Sequence, residues 1–272
     1  MPSVTLEQLL SAGSHFGHLT RRWDPKMRDY IFMQKNGIHI IDLKKTQSCL
    51  DKALKAIQQV VNEGYEVLFV GTKLQAKEII TAEAKRCNQF YVTHRWLGGM
   101  LTNFSTIKKS IKHLKNLDKM STDGTYEKIS KKERLHIDRE KEKLYAVLSG
   151  IEEMKRLPGA VFIVDTKKEH IAVNEARKMN IPVFAMIDTN SDPTLIDYPV
   201  PANDDAAKSI SLIVSKFAEA IIEARQKVQE EKALSEAVKE EKEPREEKEE
   251  AKTARKPRKK EKPETEETAD KE

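Results

Sequence analysis

Short, unbroken apolar runs alternate along this chain with longer stretches in which apolar residues recur every three or four positions. The runs at residues 67–70, 160–164 and 182–187 are typical of strands that are buried on both faces, and helical periodicity follows the first two. Buried strands that are separated by helices form a mainly parallel sheet. We therefore expect an α/β fold that is doubly wound, with helices on both faces of the sheet.

Turn-forming residues refine this expectation at two points. Asn36-Gly37 joins strand-like runs at residues 30–33 and 38–41, which is typical of a tight β-hairpin. A last short strand is expected near residues 196–200, where it contains Pro199. Because proline has no backbone N–H to donate to a neighbouring strand, this last strand is predicted to lie at an edge of the sheet.

One stretch departs from the alternation of strands and helices. Residues 104–157 contain two helical segments that meet at a turn, and from residue 105 onward they carry 14 Lys/Arg against nine Asp/Glu. The segments share an apolar seam but lack a wide apolar face, so we expect a helical hairpin arm that projects from the body. Packing against the core would not explain such an arm. The predicted organisation is an α/β body at residues 1–103 and 158–228, the arm at 104–157 and a tail at 229–272.

Composition limits the class of protein. The 272 residues are 38% hydrophobic and 34% charged, which suits a modest core beneath a highly charged surface. No apolar run is long enough to span a bilayer, and the first residues do not resemble a signal peptide. The two cysteines form no metal-binding pair, so disulfides are not expected. A soluble cytoplasmic protein that does not contact a membrane is the prediction.

Charge is unevenly distributed along the chain. Residues 229–272 hold 13 Lys/Arg and 16 Asp/Glu, so the remaining 36 basic and 28 acidic residues leave the body with an excess of +8. That excess favours a polyanionic partner. The tail lacks aromatic residues and is predicted to be charged and disordered, although its first residues can continue the preceding helix. Its basic cluster at 255–260 is either a solvated charge run or a contact for RNA or an acidic protein.

The first segment that combines cations with an aromatic side chain lies at residues 20–28. Guanidinium and ammonium groups neutralise phosphates, and an indole stacks on an unpaired base. A charged surface loop without any ligand is the alternative interpretation. The side chains that would contact RNA are Arg21, Arg22, Trp23, Lys26 and Arg28.

The second such segment lies at residues 90–104, where a short strand ends in His94, Arg95 and Trp96 and the pair Gly98-Gly99 follows. Glycines let a backbone approach a bulky partner closely. A tryptophan that simply packs beneath the loop is the alternative. Together with the basic arm, the two segments favour an RNA-binding protein.

An enzyme is the competing hypothesis. Parallel sheets bind ligands beyond the carboxyl ends of their strands, where this chain has polar loops at residues 71–73, 165–168 and 188–193. Neither of the phosphate-binding patterns G-x-G-x-x-G and G-x-x-x-x-G-K-[ST] occurs, and the nucleophile elbow G-x-S-x-G is also missing from the sequence. We therefore expect neither catalysis nor a small-molecule substrate.

A metal site is a further hypothesis. Imidazole and carboxylate groups of His18, Asp188 and Asp205 are suited to hold zinc or magnesium. The segment around His18 is predicted to be a loop, however, and aspartates at the start of a helix commonly serve as caps. Capping is the simpler interpretation, so we expect no cofactor other than a structural zinc or magnesium ion at these residues.

Seven motifs of this chain occur in the same order in a known family. They lie at residues 13–18, 20–27, 90–104, 157–165, 175–176, 181–193 and 203–206. By these motifs the chain resembles bacterial ribosomal small-subunit protein two over residues 3–228. The resemblance implies a doubly wound body with a protruding helical hairpin. It also implies, as partners, small-subunit ribosomal RNA, neighbouring ribosomal proteins and the OB-repeat ribosomal protein that captures messenger RNA.

The resemblance also assigns roles to particular residues. It implies that six positions face either RNA or the body, namely Arg21, Trp23, Lys26, Arg95, Trp96 and Asn103. The chain departs from the family pattern at Ala202, where a glycine is expected, and at Pro199. Both departures indicate an altered path at that edge of the sheet. The complete set of predicted RNA contacts further includes Lys73, His94, Lys108, Lys109 and Lys112.

Overall fold

The computed structural model describes residues 3–123 and 129–253. The chain divides into two compact units, Met1–Gln226 and Lys227–Glu272. The main elements are, in chain order, α1 (Leu6–Ser11), β1 (Phe16–Leu19), β2 (Ile31–Lys35), β3 (Ile38–Ile41), α2 (Leu43–Asn62), β4 (Val67–Val70), α3 (Leu74–Arg86), β5 (Phe90–Val92), α4 (Phe104–Thr122), α5 (Lys131–Leu148), β6 (Ala160–Val164), α6 (His170–Lys178), β7 (Val183–Ile187), β8 (Tyr198–Pro201) and α7 (Ala207–Thr253). Short 3-10 turns lie at Thr20–Arg22, Pro25–Tyr30, Ser149–Ile151 and Pro193–Leu195.

Five parallel strands form the central sheet in the order β5-β4-β6-β7-β8. Their side chains alternate between two hydrophobic clusters, because successive residues of a strand point to opposite faces. In β4, Phe69 belongs to the cluster formed with α2, α3 and α7, whereas Leu68 belongs to the cluster formed with α4, α5 and α6. The rings of Phe162 and Phe217 lie 4.4 Å apart at the centre of the first cluster. The predicted doubly wound α/β fold is confirmed.

The strand β8 lies at an edge of this sheet and pairs with β7 alone. Pro199 is opposite Ala185 and Pro201 is opposite Ile187. Because neither proline has an N–H to donate, a central position would leave the ladder short of hydrogen bonds on one side. The edge position that Pro199 predicts is therefore confirmed.

A second, antiparallel sheet has the order β1-β3-β2. Its hairpin between β2 and β3 is the predicted one, with Asn36 and Gly37 at φ angles of 52° and 74°, as a two-residue turn requires. The sequence predicts a loop where β1 forms, and that prediction is wrong. Gly17 explains the difference, because a Cβ atom at this position would lie 2.6 Å from Thr189 Cγ2, and only glycine lets β1 approach this threonine.

The inserted helices α4 and α5 are partly buried against the body. Their inner apolar residues belong to the second hydrophobic cluster, including Ile107, Leu114 and Leu148. The expectation that core packing does not explain this insert is therefore wrong for its inner ends. The projection of an arm stays a prediction, and its turn at 121–124 lies partly outside the described residues.

The second unit is described only as a helix. The helix α7 extends through Thr253, in line with the expectation that the first residues of the tail can continue the preceding helix, and the disorder of the tail stays a prediction. The composition of this stretch is rich in Ala, Glu and Lys, whose high helix propensity accounts for the continuation. The basic cluster at 255–260 lies outside the described residues. Among the helices that are described, none has the length and apolar character needed to cross a membrane.

One buried carboxylate organises the segment that follows β5. Glu175 on α6 is 8% exposed, and its two oxygens accept five hydrogen bonds from residues 96–102. Oε1 accepts from the Trp96 indole at 3.1 Å and from the Gly99 N–H at 2.7 Å. Oε2 accepts from the Leu101 N–H at 3.0 Å and from both the N–H and the hydroxyl of Thr102 at 3.1 Å. We call this arrangement the Glu175 clamp.

The clamp corrects the role predicted for Trp96. This side chain is 7% exposed and belongs to the second hydrophobic cluster. A ring that is buried in the core offers no face to a nucleic-acid base, so the prediction that Trp96 contacts RNA is wrong. The alternative, a tryptophan packed beneath the loop, is confirmed, and its N–H is satisfied as buried indoles require.

Hydrogen bonding determines the ionisation of Glu175. Burial alone would raise the pKa of this carboxyl, but donors from Gly99, Leu101, Thr102 and Trp96 stabilise the charged form and hold the pKa below its ordinary value of 4.5. A group whose pKa is lower in the folded state stabilises the fold above its unfolded pKa. That contribution is lost as the pH falls through the folded-state pKa.

Replacing Glu175 by glutamine should lower the free energy of unfolding by about 2 kcal/mol at neutral pH, because the amide nitrogen leaves two or three buried donors without an acceptor. The difference in unfolding free energy between the native chain and the variant should shrink as the pH falls from 4.5 through the lower folded-state pKa, because the native carboxylate then becomes protonated. Urea titrations at several pH values measure it.

The exposed Glu78 on α3 provides the control for this experiment. Glu78→Gln should change the free energy of unfolding by less than about 0.5 kcal/mol. A Glu175→Gln deficit that is as large in acid as at neutral pH would contradict the assignment of the stabilisation to the carboxylate charge.

Candidate nucleic-acid interface and buried polar cluster

The first candidate segment follows β1 along the surface. Arg21, Arg22 and Arg28 are exposed, and none of them forms an ion pair within the part of the chain that is described. Trp23 is 36% exposed, and its ring centroid lies 5.0 Å from that of His39. The three guanidinium groups are thus available to phosphates, and part of the indole is accessible to a base.

Thr189, in the loop after β7, holds this first segment in place. The Asp24 N–H donates to the Thr189 carbonyl at 2.8 Å, and the His18 N–H donates to the Thr189 hydroxyl at 2.9 Å. Lys26 Nζ lies 2.5 Å from Asp192 in the same loop. The segment is therefore fastened to the sheet, and Lys26 would meet a phosphate only as a member of an ion pair.

The second candidate segment exposes a different set of groups. His94 and Arg95 are exposed and have no ion-pair partner among the described residues. Asn103 is also exposed, and its side-chain oxygen accepts from the hydroxyl groups of Ser105 and Thr106 at 3.3 and 3.0 Å. Asn103 thus stabilises the start of α4 and keeps its amide N–H groups available.

The first turns of α4 continue this basic surface. Lys108, Lys109 and Lys112 are exposed, and the Lys108 ammonium lies 4.7 Å from the centroid of the Phe104 ring. The lysines follow the clamped segment directly in the chain. Residues 96–102, which Glu175 holds, thus lie in the chain between His94-Arg95 and the three exposed lysines of α4.

Lys73 is the second predicted RNA contact that the structure corrects. Its side chain is 14% exposed, and Nζ lies 2.6 Å from Asp204, 2.7 Å from Asp205 and 3.2 Å from Asp165. Burial alone would lower the pKa of Lys73, but these carboxylates outweigh it and raise the pKa. A cation that is surrounded in this way is not free to neutralise a phosphate.

His18 joins the same cluster from β1. Its Nδ1 lies 2.9 Å from Asp188 and its Nε2 lies 3.4 Å from Asp205. The hydrogen bond that His18 donates to the Asp188 carboxylate raises the pKa of His18. Burial, together with the neighbouring Asp188 and Asp165, raises the pKa of Asp204 to about 7. The cluster therefore holds excess negative charge that its own cations only partly balance.

The donor set of this cluster fits a divalent cation. One imidazole nitrogen and one carboxylate oxygen each from Asp188, Asp204 and Asp205 lie within 4.8 Å of one another around His18. Asp204 Oδ2 is buried and has no hydrogen-bond partner. Unpaired buried carboxylate oxygens are costly. Such a set of ligands suits zinc or magnesium and includes all three residues predicted from the sequence, together with Asp204, which the sequence presents as an ordinary helix cap.

The position of the cluster bears on the enzyme hypothesis. In this sheet order the crevice between β4 and β6 is the switch point at which doubly wound proteins bind ligands. Lys73 and Asp165 meet across this crevice, and the Thr72 N–H and hydroxyl both donate to Glu169. Side chains of the protein thus pair with one another at the place where an enzyme of this fold would hold a nucleotide.

An apolar groove on the antiparallel sheet was not foreseen from the sequence. It has a volume of about 500 Å³ and is lined by side chains that include Leu6, Leu10, His15, Phe32 and Ile40. Phe32 is 69% exposed and Leu10 is 56% exposed. The only sequence signal was the unbroken apolar run in β2, since an edge strand with one solvated face would normally alternate polar and apolar residues.

Comparisons with known proteins identify the family. Residues 9–224 match the family described as ribosomal protein S2. The chain is 58% identical over 236 residues to small ribosomal subunit protein uS2 of Chlorobaculum parvum, which covers 87% of this chain and 94% of the relative. It is 60% identical over 224 residues to the protein of that name from Chloroherpeton thalassium, covering 82% and 90%. It is 56% identical over 229 residues to the protein of that name from Cytophaga hutchinsonii, and this match covers 84% of this chain and 90% of the relative.

These matches span both candidate segments, the buried cluster and the clamp. The family is structural and not enzymatic. By the extent of the family match and the identity to these relatives, the chain belongs to the ribosomal protein S2 family and is a structural constituent of the small ribosomal subunit.

Proposed function

We propose that two surface segments hold this protein on the small subunit by binding its ribosomal RNA. They are residues 20–28 and 94–103, and the lysines at the start of α4 extend the second of them. The observation that carries the proposal is the group of exposed arginines without ion-pair partners among the described residues, namely Arg21, Arg22, Arg28 and Arg95, with the exposed His94 beside Arg95.

The mechanism is electrostatic and depends on position. Guanidinium groups bind pairs of phosphate oxygens, and each neutralised phosphate releases counterions, which favours association. Trp23 is placed to stack on an unpaired base and thereby to orient the first segment. Because the cations lie on irregular segments, they follow the shape of folded RNA more than they read its sequence. The protein would act in the cytoplasm, among neighbouring ribosomal proteins.

The double variant Arg21→Ala with Arg95→Ala should bind at least about tenfold more weakly to small subunits that concentrated salt has stripped of this protein. The slope of log affinity against log salt should fall by about two, since two phosphate contacts are lost. Sedimentation of the labelled full chain with stripped subunits, over a series of salt concentrations, measures both quantities.

A matched control removes the same charge from another face. Lys52→Ala with Lys55→Ala alters two exposed lysines of α2, which packs on the opposite face of the five-stranded sheet from α4. This control should keep nearly the native affinity. Equal affinity losses for the two double variants would show that only net charge matters and would refute the assigned interface.

We also propose that the apolar groove receives the OB-repeat ribosomal protein that captures messenger RNA. Leu10 and Phe32 expose more than half of their surface, and an apolar groove of this kind is typical of a protein-binding site. Glu7 and Lys44 line the groove beside them and could orient an incoming segment by charge. The proposed occupant is therefore an apolar segment of that protein with flanking charges.

Phe32→Ala should weaken binding of the purified OB-repeat protein by about tenfold, as the loss of a central aromatic anchor does at other interfaces. Calorimetry with the full chain measures this affinity. Leu74→Ala is the control, because Leu74 is 80% exposed on α3, away from the groove. If Phe32→Ala binds as tightly as the native chain, the groove is not the docking site.

We further propose that a structural zinc or magnesium ion binds at His18, Asp188, Asp204 and Asp205. Its support is the convergence of four potential ligands and the unpaired oxygen of Asp204. A bound cation would neutralise the excess carboxylate charge. Through His18 it would also join β1 to the carboxyl ends of the parallel strands, and so stabilise the first RNA-binding segment.

Zinc or magnesium should raise the midpoint of thermal unfolding of the native chain and leave that of His18→Ala almost unchanged. The stabilisation follows from binding to the folded state alone. Calorimetric titration gives the affinity and the stoichiometry. His94→Ala is the control, because this histidine is exposed in the other segment. Equal shifts for the two variants, or no shift for the native chain, would disprove this site.

A further inference from the structure

The Glu175 clamp connects an element far along the chain to the second candidate segment. Its carboxylate accepts five hydrogen bonds between Trp96 and Thr102, three of them from the backbone N–H groups of Gly99, Leu101 and Thr102. Gly99 has a φ angle of 88°, a conformation that favours glycine, and its N–H donates to Glu175 at 2.7 Å.

We infer that Glu175 is a positioning residue for RNA binding, in addition to its role in the fold. This inference rests on the proposed binding of ribosomal RNA through residues 94–103. The residue after Arg95 is the clamped Trp96, and the helix that carries Lys108 begins two residues after the clamped Thr102. The carboxylate therefore sets the direction in which the Arg95 side chain and the α4 lysines leave the body.

Preorganisation is the physical reason for such an arrangement. A loop of Gly-Gly sequence that is free to move would lose conformational entropy on binding RNA. In this protein the folded state has already restricted that loop, since each of its N–H groups at Gly99, Leu101 and Thr102 has an acceptor. Binding then needs less ordering of the chain around Arg95.

The charge of Glu175 makes the inference testable, because two effects have opposite signs. A carboxylate close to an RNA-binding segment repels phosphates, so its neutralisation alone should strengthen RNA binding. A carboxylate that positions Arg95 and the α4 lysines should instead weaken RNA binding when it is replaced. The sign of the change in affinity therefore distinguishes positioning from long-range electrostatics.

The experiment uses the full chain and small subunits stripped of this protein by concentrated salt. Glu175→Gln is expected to bind about tenfold more weakly, which is within the range of coupling between residues that share a network. Circular dichroism and the urea midpoint must show that the variant is folded at the assay temperature. Binding that is unchanged or tighter would overturn the inference.

Glu169→Gln is the matched control. Glu169 is also buried, at 4% exposure, and it also accepts an N–H and a hydroxyl group, both from Thr72. The substitution removes the same charge from the start of the same helix but leaves residues 96–102 untouched. It should bind the stripped subunits as tightly as the native chain or more tightly. A loss equal to that of Glu175→Gln would assign the effect to general destabilisation and overturn the inference.

Thr102→Val tests the clamp without any change in charge. The substitution removes one hydroxyl donor to Glu175 Oε2. Because Thr102 is itself exposed, Thr102→Val should destabilise the fold less than Glu175→Gln does. A smaller loss of about twofold is expected from one missing hydrogen bond of this kind. Native affinity in both Thr102→Val and Glu175→Gln would refute the positioning role.

Arg95→Ala separates the inference from the function on which it rests. If Arg95→Ala binds like the native chain, the proposed RNA contact of this segment is refuted, irrespective of the affinity of Glu175→Gln. If Arg95→Ala is weakened while Glu175→Gln is not, the contact stands and the positioning role fails. Under the inference, Glu175→Gln with Arg95→Ala should lose less than the product of the two single losses, because each variant removes part of the same interaction.

Discussion

A buried negative charge needs partners, and in this protein a surface segment supplies them. Glu175 is almost fully enclosed, and it obtains five donors from a segment that has little other reason to adopt one shape. The cost of leaving such a carboxylate unsatisfied is several kcal/mol, so the segment and the charge hold each other in place. Thr189 is a buried but uncharged counterpart: its carbonyl accepts from Asp24 in the first segment, and its hydroxyl accepts from His18 in β1.

A second concentration of buried charge lies at the carboxyl ends of the parallel strands. Doubly wound sheets place ligands at the switch point between their halves. Lys73 fills that point with an ammonium group, and Asp165, Asp204 and Asp205 surround it. The crevice thereby becomes a joint between the parallel sheet and β1, through His18. The proposed RNA contacts lie outside this crevice, on segments that contact the joint or the clamp.

The sequence is sufficient to predict the parallel sheet, the hairpin and the edge position of β8, because each depends on local chemistry. The local signals are the unbroken apolar runs, Asn36-Gly37 and Pro199, respectively. The roles of Trp96 and Lys73 were predicted wrongly, since an indole or an ammonium group looks alike in sequence whether it faces RNA or a buried carboxylate. Their partners are Glu175 and Asp204, which lie 79 and 131 residues away. Only tertiary structure reveals such pairs. Arg21 and Arg95 have no such partner among the described residues, and they stay candidates.

Substitutions at the exposed cations and at the buried groups beneath them should have different effects. If the exposed cations bind ribosomal RNA as proposed, they should act roughly additively through phosphate neutralisation, so that the loss of one weakens RNA binding without abolishing it. The buried groups do not act additively, because Glu175 holds several donors at once and Thr189 holds the chain at both Asp24 and His18. Variation is therefore expected to be tolerated at the cations and to be damaging beneath them. On the proposed interface, exposed cations would supply the affinity for RNA, and buried residues such as Glu175 and Thr189 would fix the geometry of the segments that carry those cations.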